Sequence, residues 1–309
     1  MNMQTKNPTL LIIALSVCAF SFANAGSITR DVIEETYKVA PGGTLSFDSD
    51  LASVEITTNE TDTLRAEFKS DFKVTAAQEV EALRKKLTIE MHKNNNGVQV
   101  LVRWTGGRND NERRKVRLNC QITMPRKYNL DLRTVGSARV DNLDGTVKAV
   151  MLGGSLKLKN VAGPVTAKAE GGSVSIDDVG GDLDAKAEGG SVAAGRVNGR
   201  VIARAEGGSV SIKEATDSIE ARAEGGSVAA YISKQPRADS RLIAEAGNVE
   251  LRLPESIAIN IDASCSAGRL SSDFNLNGRQ DENRLKGTIN GGGPLLMVRA
   301  SAGNIYLRK

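Results

Sequence analysis

The chain has 309 residues, 41 basic against 37 acidic side chains, and a net charge of +4. One His excludes a two-His zinc site, and one Trp, four Tyr and six Phe are too few for an aromatic stacking surface. The small charge excess argues against nucleic-acid binding, while the length is ample for one or two packed cores.

The first apolar stretch, Leu10 to Phe22, follows Lys6 and is broken only by Ser16 and Ser21. Ala23-Asn24-Ala25 then supplies a small-x-small cleavage site before Gly26. The pattern predicts a secretory signal peptide over 1–25, cleaved between Ala25 and Gly26, and a periplasmic or secreted mature protein. The stretch is too short to span a ~30 Å hydrocarbon layer. Leu15-Ser16-Val17-Cys18 resembles a lipoprotein box, but Val17 is too large for the position before a lipidated Cys. No stable membrane insertion is expected once the signal is removed.

Residues 26–125 lack a strong repeat and read as a β-rich capping domain. Period-two alternation marks strands at Thr44 to Phe47, Val54 to Thr57, Thr63 to Phe68, Leu87 to Met91, Val98 to Trp104 and Val116 to Met124. One helix fits Ala76 to Lys86, with Thr75 and Gln78 at capping-box spacing ahead of it. Trp104 shares a face with Val98, Val100 and Val102 and is expected in the core. Thr105 to Arg114 reads as a hairpin loop. Arg108, Arg113, Arg114, Lys115 and Arg117 are dense there and form the one candidate anion-binding patch, for polysaccharide or lipid phosphate; the alternative is an ordinary solvated loop diluted by Asp110 and Glu112.

Residues 126–309 are dominated by an internal repeat. Gly-Gly-Ser begins at Gly153, Gly171, Gly189, Gly207 and Gly225, and the last four copies read Ala-Glu-Gly-Gly-Ser-Val. Weaker echoes occur at Gly136, Gly247, Gly268 and Gly303. In the unit Gly171 to Glu188, Val174 and Ile176 alternate with serines, a turn is expected over Asp177 to Gly181, and Leu183, Ala185 and Ala187 alternate with charged residues. Each unit is thus two short half-buried strands and two corners, one rung of a β-solenoid. Regular rungs are predicted over 153–230, with irregular rungs and a C-terminal cap over 231–309. The fold class is all-β, a β-solenoid preceded by the capping domain. The inward positions do not follow a six-residue phase, which excludes a left-handed hexapeptide helix, and the calcium-binding nonapeptide pattern is absent.

The inward columns are small. Ala167, Ala185, Ala203 and Ala221 form one, and Ile176, Ala194, Ile212 and Ala230 form another with a large–small alternation. Lys168, Lys186, Arg204 and Arg222 make an outward basic column beside an acidic one, Glu170, Glu188, Glu206 and Glu224. A solvated ion-pair lattice is expected there. Cys120 and Cys265 are in phase with buried neighbours, and seven repeat steps separate Gly136 from Ala267, about 34 Å along a straight stack. Free buried thiols are expected, because a disulfide needs Cα atoms within ~7 Å.

Val39-Ala40-Pro41-Gly42-Gly43-Thr44-Leu45, Val54-Glu55-Ile56, the strand ending in Met124-Pro125 and the repeats after it resemble the DUF4097 family over most of residues 35 to 309. The resemblance implies a β leader joined to a Gly-containing β-solenoid and an adhesin-like role, and it carries no catalytic residue. The reading is a non-catalytic binding or scaffold protein of the bacterial cell envelope. The residues leave the partner open, with envelope polysaccharide or protein as the candidates, and no cofactor, no metal and no nucleic acid are expected. Two alternatives stand beside it. One is a carbohydrate-active enzyme using carboxylates of the cluster Asp177, Asp178, Asp182 and Asp184; the other is an envelope-stress sensor acting through a protein partner.

Overall fold

The computed structural model describes residues 29–106 and 110–309. The predicted signal peptide and Arg108 lie outside them.

The chain begins with β1 (Thr29–Lys38), β2 (Thr44–Ser49), β3 (Ser53–Asn59) and β4 (Thr63–Phe72), then α1 (Ala77–Lys86). β5 (Leu87–Asn94), β6 (Gly97–Trp104) and β7 (Val116–Pro125) complete the first part. Fourteen short strands follow in pairs: β8 (Asn129–Thr134) and β9 (Ala138–Leu143), β10 (Val147–Met151) and β11 (Leu156–Val161), β12 (Val165–Ala169) and β13 (Val174–Val179), β14 (Leu183–Ala187) and β15 (Val192–Val197). Then come β16 (Val201–Ala205) and β17 (Val210–Ala215), β18 (Ile219–Ala223) and β19 (Val228–Ile232), β20 (Ser240–Ala244) and β21 (Val249–Arg252). The chain ends with β22 (Ile259–Cys265), β23 (Leu270–Ser272), β24 (Asn277–Gln280), β25 (Arg284–Ile289), β26 (Leu295–Ala300) and β27 (Ile305–Arg308).

These strands form two long sheets, of 13 and 14 strands, face to face around one apolar core that runs from Val39 to Leu307. Each turn of the chain lays one strand in each sheet. Within the repeat, partners differ by 18 residues and run parallel: Ala167 lies beside Ala185, Ala185 beside Ala203, and Ala203 beside Ala221. The fold is therefore the expected solenoid, with the expected columns buried. The large–small alternation of Ile176, Ala194, Ile212 and Ala230 is local. The same column continues as Leu158 on one side and Leu251 on the other.

The corners show why the repeat reads Gly-Gly-Ser. Ser173 Oγ accepts the Ser191 amide, and Ser191 Oγ accepts the Ser209 amide, each at 3.1 Å. The hydroxyl thus satisfies an amide that the corner takes out of the strand ladder. Gly190 lies against the rung before it: a Cβ there would overlap Ser173 Oγ and sit 2.7 Å from the Gly172 carbonyl oxygen. Close approach of successive corners, rather than a left-handed backbone, sets this glycine. The other corner starts later than expected. Asp177 and Asp178 still belong to β13, where both are exposed at a bend, and the turn begins at Gly180.

The rungs do not stack in chain order at either end. β2–β3, the first rung in the sequence, lies between β6–β7 and β8–β9. β26–β27, the last, lies between β20–β21 and β22–β23. Among the described residues this gives eleven rungs, with β6–β7 at one end and β22–β23 at the other. Cys120 on β7 and Cys265 on β22 are consequently ten steps apart, about 48 Å, rather than seven. Both are buried and free, as expected. The described residues before 126 share both sheets and the core with residues 126–309, so position 125 lies inside the stack.

Antiparallel strands cover three of the four ends, where a parallel stack would expose its ladder edges, and β23 ends the 13-stranded sheet. β4 and then β1 flank β7, β5 flanks β6, and the β24–β25 hairpin flanks β22. α1 buries Val80 and Leu83 against Phe72, Trp104 and Val116 in a small second core. Its N-cap is Ala76 without a side-chain bond, so the Thr75–Gln78 capping box does not form. Arg84 in its last turn holds Asp31 of β1 at 2.6 Å. The segment after β6 is not a hairpin. β6 and β7 belong to different sheets, and Asn111–Lys115 form a 3-10 turn that leads into β7.

Candidate binding surfaces

The outer face of the 14-stranded sheet carries the charged columns. Lys168 pairs with Glu170 at 3.2 Å and with Glu188 of the next rung at 3.1 Å. Lys186 repeats the pattern with Glu188 at 3.2 Å and Glu206 at 2.7 Å. Hydrogen bonds from Lys168 and Lys186 hold the Glu188 carboxyl below the usual range. Arg204 departs from the pattern and takes Glu220. The cations and anions therefore answer one another across rungs, as exposed pairs of small individual worth.

This lattice breaks at the ninth rung. Ile243 of β20 stands where Arg222 stands one rung earlier, and Met297 of β26 follows Arg241. Ile243, Leu295 and Met297 floor a groove of about 540 Å³, with Arg204, Arg222 and Arg241 on its walls. The corner between β19 and β20 is longer than its counterparts and is pinned beside the groove. Asp217 accepts the Arg237 amide at 2.9 Å and its Nε at 2.8 Å. The signal available in the sequence was the loss of the 18-residue register after Ala230. Intercalation of β26, which brings Met297 to Arg241, had no local signal.

The outer face of the other sheet is small and flat. Ser175, Ala193, Ser211 and Ala229 follow one another in register. The aspartates grouped in the sequence are separated here. Asp178 Oδ1 accepts the Arg196 amide at 3.3 Å at the bend, and Asp182 Oδ1 accepts the Arg200 amide at 2.9 Å at the opposite corner. Asp184 is exposed on the charged face. Among the described residues no group of three or more His, Cys, Asp or Glu side chains could hold a metal ion.

The basic patch at the first rung is partly spent on the fold. Arg113 reaches the Asp50 carbonyl oxygen, and Lys115 reaches Glu79 of α1 at 2.5 Å. Arg114 and Arg117 are exposed. Lys86 holds Asp110 at 3.1 Å and also Glu112, and Trp104 Nε1 donates to Asp110 at 3.1 Å. Trp104 itself is buried, as expected.

No helix among the described residues is long and apolar enough to cross a membrane. The chain resembles several solved structures at low identity. One is a candidate adhesin from Parabacteroides distasonis, 11% identical, with 89% of this chain and 96% of that one covered and a TM-score of 0.44. Another is a candidate adhesin from Parabacteroides merdae, 12% identical, covering 90% and 96%, with a TM-score of 0.40. A third, described as a candidate lipid-binding protein from Parabacteroides distasonis, is 10% identical over 90% and 97%, with a TM-score of 0.38. No curated protein matches. The Toastrack DUF4097 family model matches residues 43–308, nearly all of the two-sheet stack, and the chain belongs to that family.

Proposed function

We propose that the chain is an exported, non-catalytic binding or scaffold protein of the bacterial cell envelope that receives an extended polysaccharide or protein partner across its sheet faces. The observation that carries this reading is the break in the charged lattice at Ile243 and Met297. Ten steps of in-register strands give a surface about 48 Å long, and repeating rungs suit extended partners. The lattice cations, Arg204 and Arg222 included, are paired within the chain, whereas the groove sets an apolar floor beside Arg241.

The carboxylates support binding over hydrolysis. A general acid needs its pKa raised. Glu188 and Glu214 are instead held low by hydrogen bonds from lysine and arginine neighbours, and Asp178 and Asp182 serve as acceptors for corner amides. Export rests on residues 1–25 of the sequence.

The test is an array of envelope polysaccharides and photo-crosslinking in cells, with the crosslinker at Met297 or, for comparison, at Ser175. The reading expects a saturable glycan signal or one discrete protein adduct from Met297, lost on Arg241→Glu. Turnover of any polysaccharide in the panel, or equal unspecific adducts from both positions, overturns it.

A further inference from the structure

A second recess lies away from the sheet faces, at the corner where β2, β6 and β8 begin. It has a volume of about 640 Å³. Pro41, Lys93, Asn94, Asn95, Asn96 and Tyr128 line it.

Tyr128 is out of character for its position. In the later rungs the matching corner residue is glycine: Gly145, Gly163 and Gly181. Here an aromatic ring replaces it and lies across Gly43 of the neighbouring rung. A Cβ on Gly43 would sit 2.5 Å from the ring edge and 2.7 Å from the hydroxyl oxygen. That contact explains why Gly43 has no side chain. The ring is 1% exposed, and its hydroxyl has no hydrogen-bond partner within the protein. A buried hydroxyl without a partner is unfavourable, and Tyr128 lines the recess, so its hydroxyl is expected to serve something that enters from outside. Burial pushes the phenol pKa up, which keeps the hydroxyl neutral and able to donate as well as accept.

The rim has a matching chemistry. Asn94, Asn95 and Asn96 are exposed at the β5–β6 turn, and each primary amide can donate and accept. Asn94 Oδ1 accepts the Asn96 amide at 2.8 Å, and the Asn96 carbonyl accepts the Thr44 amide at 2.8 Å, so the turn is held to the corner. Lys93 is exposed and is the one charged residue among those described as lining the recess. Gly42, at φ +81°, places the chain reversal beside Pro41. Side-by-side amides suit vicinal hydroxyls, the Pro41 ring suits the apolar face of a pyranose, and the lysine suits a carboxylate.

We propose that this corner, built on Tyr128 and the Asn94–Asn96 turn, binds a short acidic saccharide. The site is separate from the groove at Met297 and does not depend on it.

The test is equilibrium titration of the purified chain with the trimer of galacturonic acid and, in parallel, the trimer of galactose, read on the side-chain amide signals of Asn94, Asn95 and Asn96. The acidic trimer should saturate and the neutral trimer bind more weakly. Tyr128→Phe keeps the ring and should lose about tenfold in affinity, the worth of one hydrogen bond, as should Asn95→Ala at the exposed rim. Tyr128→Phe should unfold no earlier than the parent, because it removes an unsatisfied group. Failure of the acidic trimer to saturate overturns the proposal. So does equal binding of the two trimers, or unchanged affinity in Tyr128→Phe.

Discussion

The Ser173 hydroxyl accepts the backbone amide of Ser191, one rung further on, at 3.1 Å. The same bond links Ser137 to Ser155, Ser155 to Ser173, Ser191 to Ser209 and Ser209 to Ser227. Asparagine then takes over. Ser227 Oγ accepts the Asn248 amide, Asn248 Oδ1 accepts the Asn304 amide, and Asn304 Oδ1 accepts the Arg269 amide. This chain of acceptors follows the spatial order of the rungs, including the intercalated last one, and not the order of the sequence.

Each member satisfies one corner amide, so Ser173→Ala should cost about 1 kcal/mol of stability. Ser173→Asn should cost less, since asparagine fills the same role at Asn248 and Asn304. Denaturant unfolding of the three chains checks this; equal stability of Ser173→Ala and the parent would contradict it.

Gly190 and Ser173 should be coupled. A methyl on Gly190 meets Ser173 Oγ, and overpacking of this kind costs about 1–3 kcal/mol. Combining Gly190→Ala with Ser173→Ala should cost less than the two single changes added together, because the second removes the atom that the first strikes. A double-mutant cycle measures the difference.

Removing residues 291–309 takes away β26–β27, which bond rungs on both sides, together with the buried Leu296, Val298, Ile305 and Leu307. Nearest-neighbour stacking localises the damage. Hydrogen exchange should quicken in β20–β23 and β25, while β10–β13 keep their protection. Uniform loss, or none, would contradict the intercalated order.

Asp217 should make stability fall in acid. Burial pushes its carboxyl up, but the hydrogen bonds from the Arg237 amide and guanidinium and from the Ser218 amide together outweigh burial and leave the pKa below its ordinary value. A depressed folded pKa contributes stability that is present above the unfolded value, about 3.9, and lost as pH falls through the folded one. Asp217→Asn should therefore be less stable than the parent at neutral pH, and the gap should narrow steadily below about pH 4. Thermal unfolding against pH checks it; a gap that stays constant into acid would contradict the clamp.

The sequence shows the middle of the molecule well because every rung there is local. Val174, Ile176, Leu183, Ala185 and Ala187 announce their burial by alternation, and Lys186 with Glu188 announces the ionic face. The ends are less legible, for physical reasons. β1 reads Thr-Arg-Asp-Val-Ile-Glu-Glu-Thr-Tyr-Lys, and its inward Ile33 and Tyr37 sit among charges, so its alternation is masked. The order of the end rungs depends on pairings such as Glu55 with Gln121 and Glu250 with Tyr306, which no local pattern encodes. The contact of Tyr128 with Gly43 joins residues that the sequence gives no reason to compare. Arg113 and Lys115 looked like a patch because their partners, Asp50 and Glu79, arrive from distant segments.

The most direct test of the stack is a distance between its ends. Gln121 on β7 and Ser271 on β23 terminate one column that passes through Glu55, Arg139, Ser175, Ala229, Glu250 and Tyr306 among others. Spin labels placed by Gln121→Cys and Ser271→Cys, with the native cysteines replaced by alanine, should lie about 48 Å apart by pulsed electron resonance, ten steps of the stack. A separation of about 38 Å, the value for rungs piled in chain order without the two intercalated ones, would contradict it.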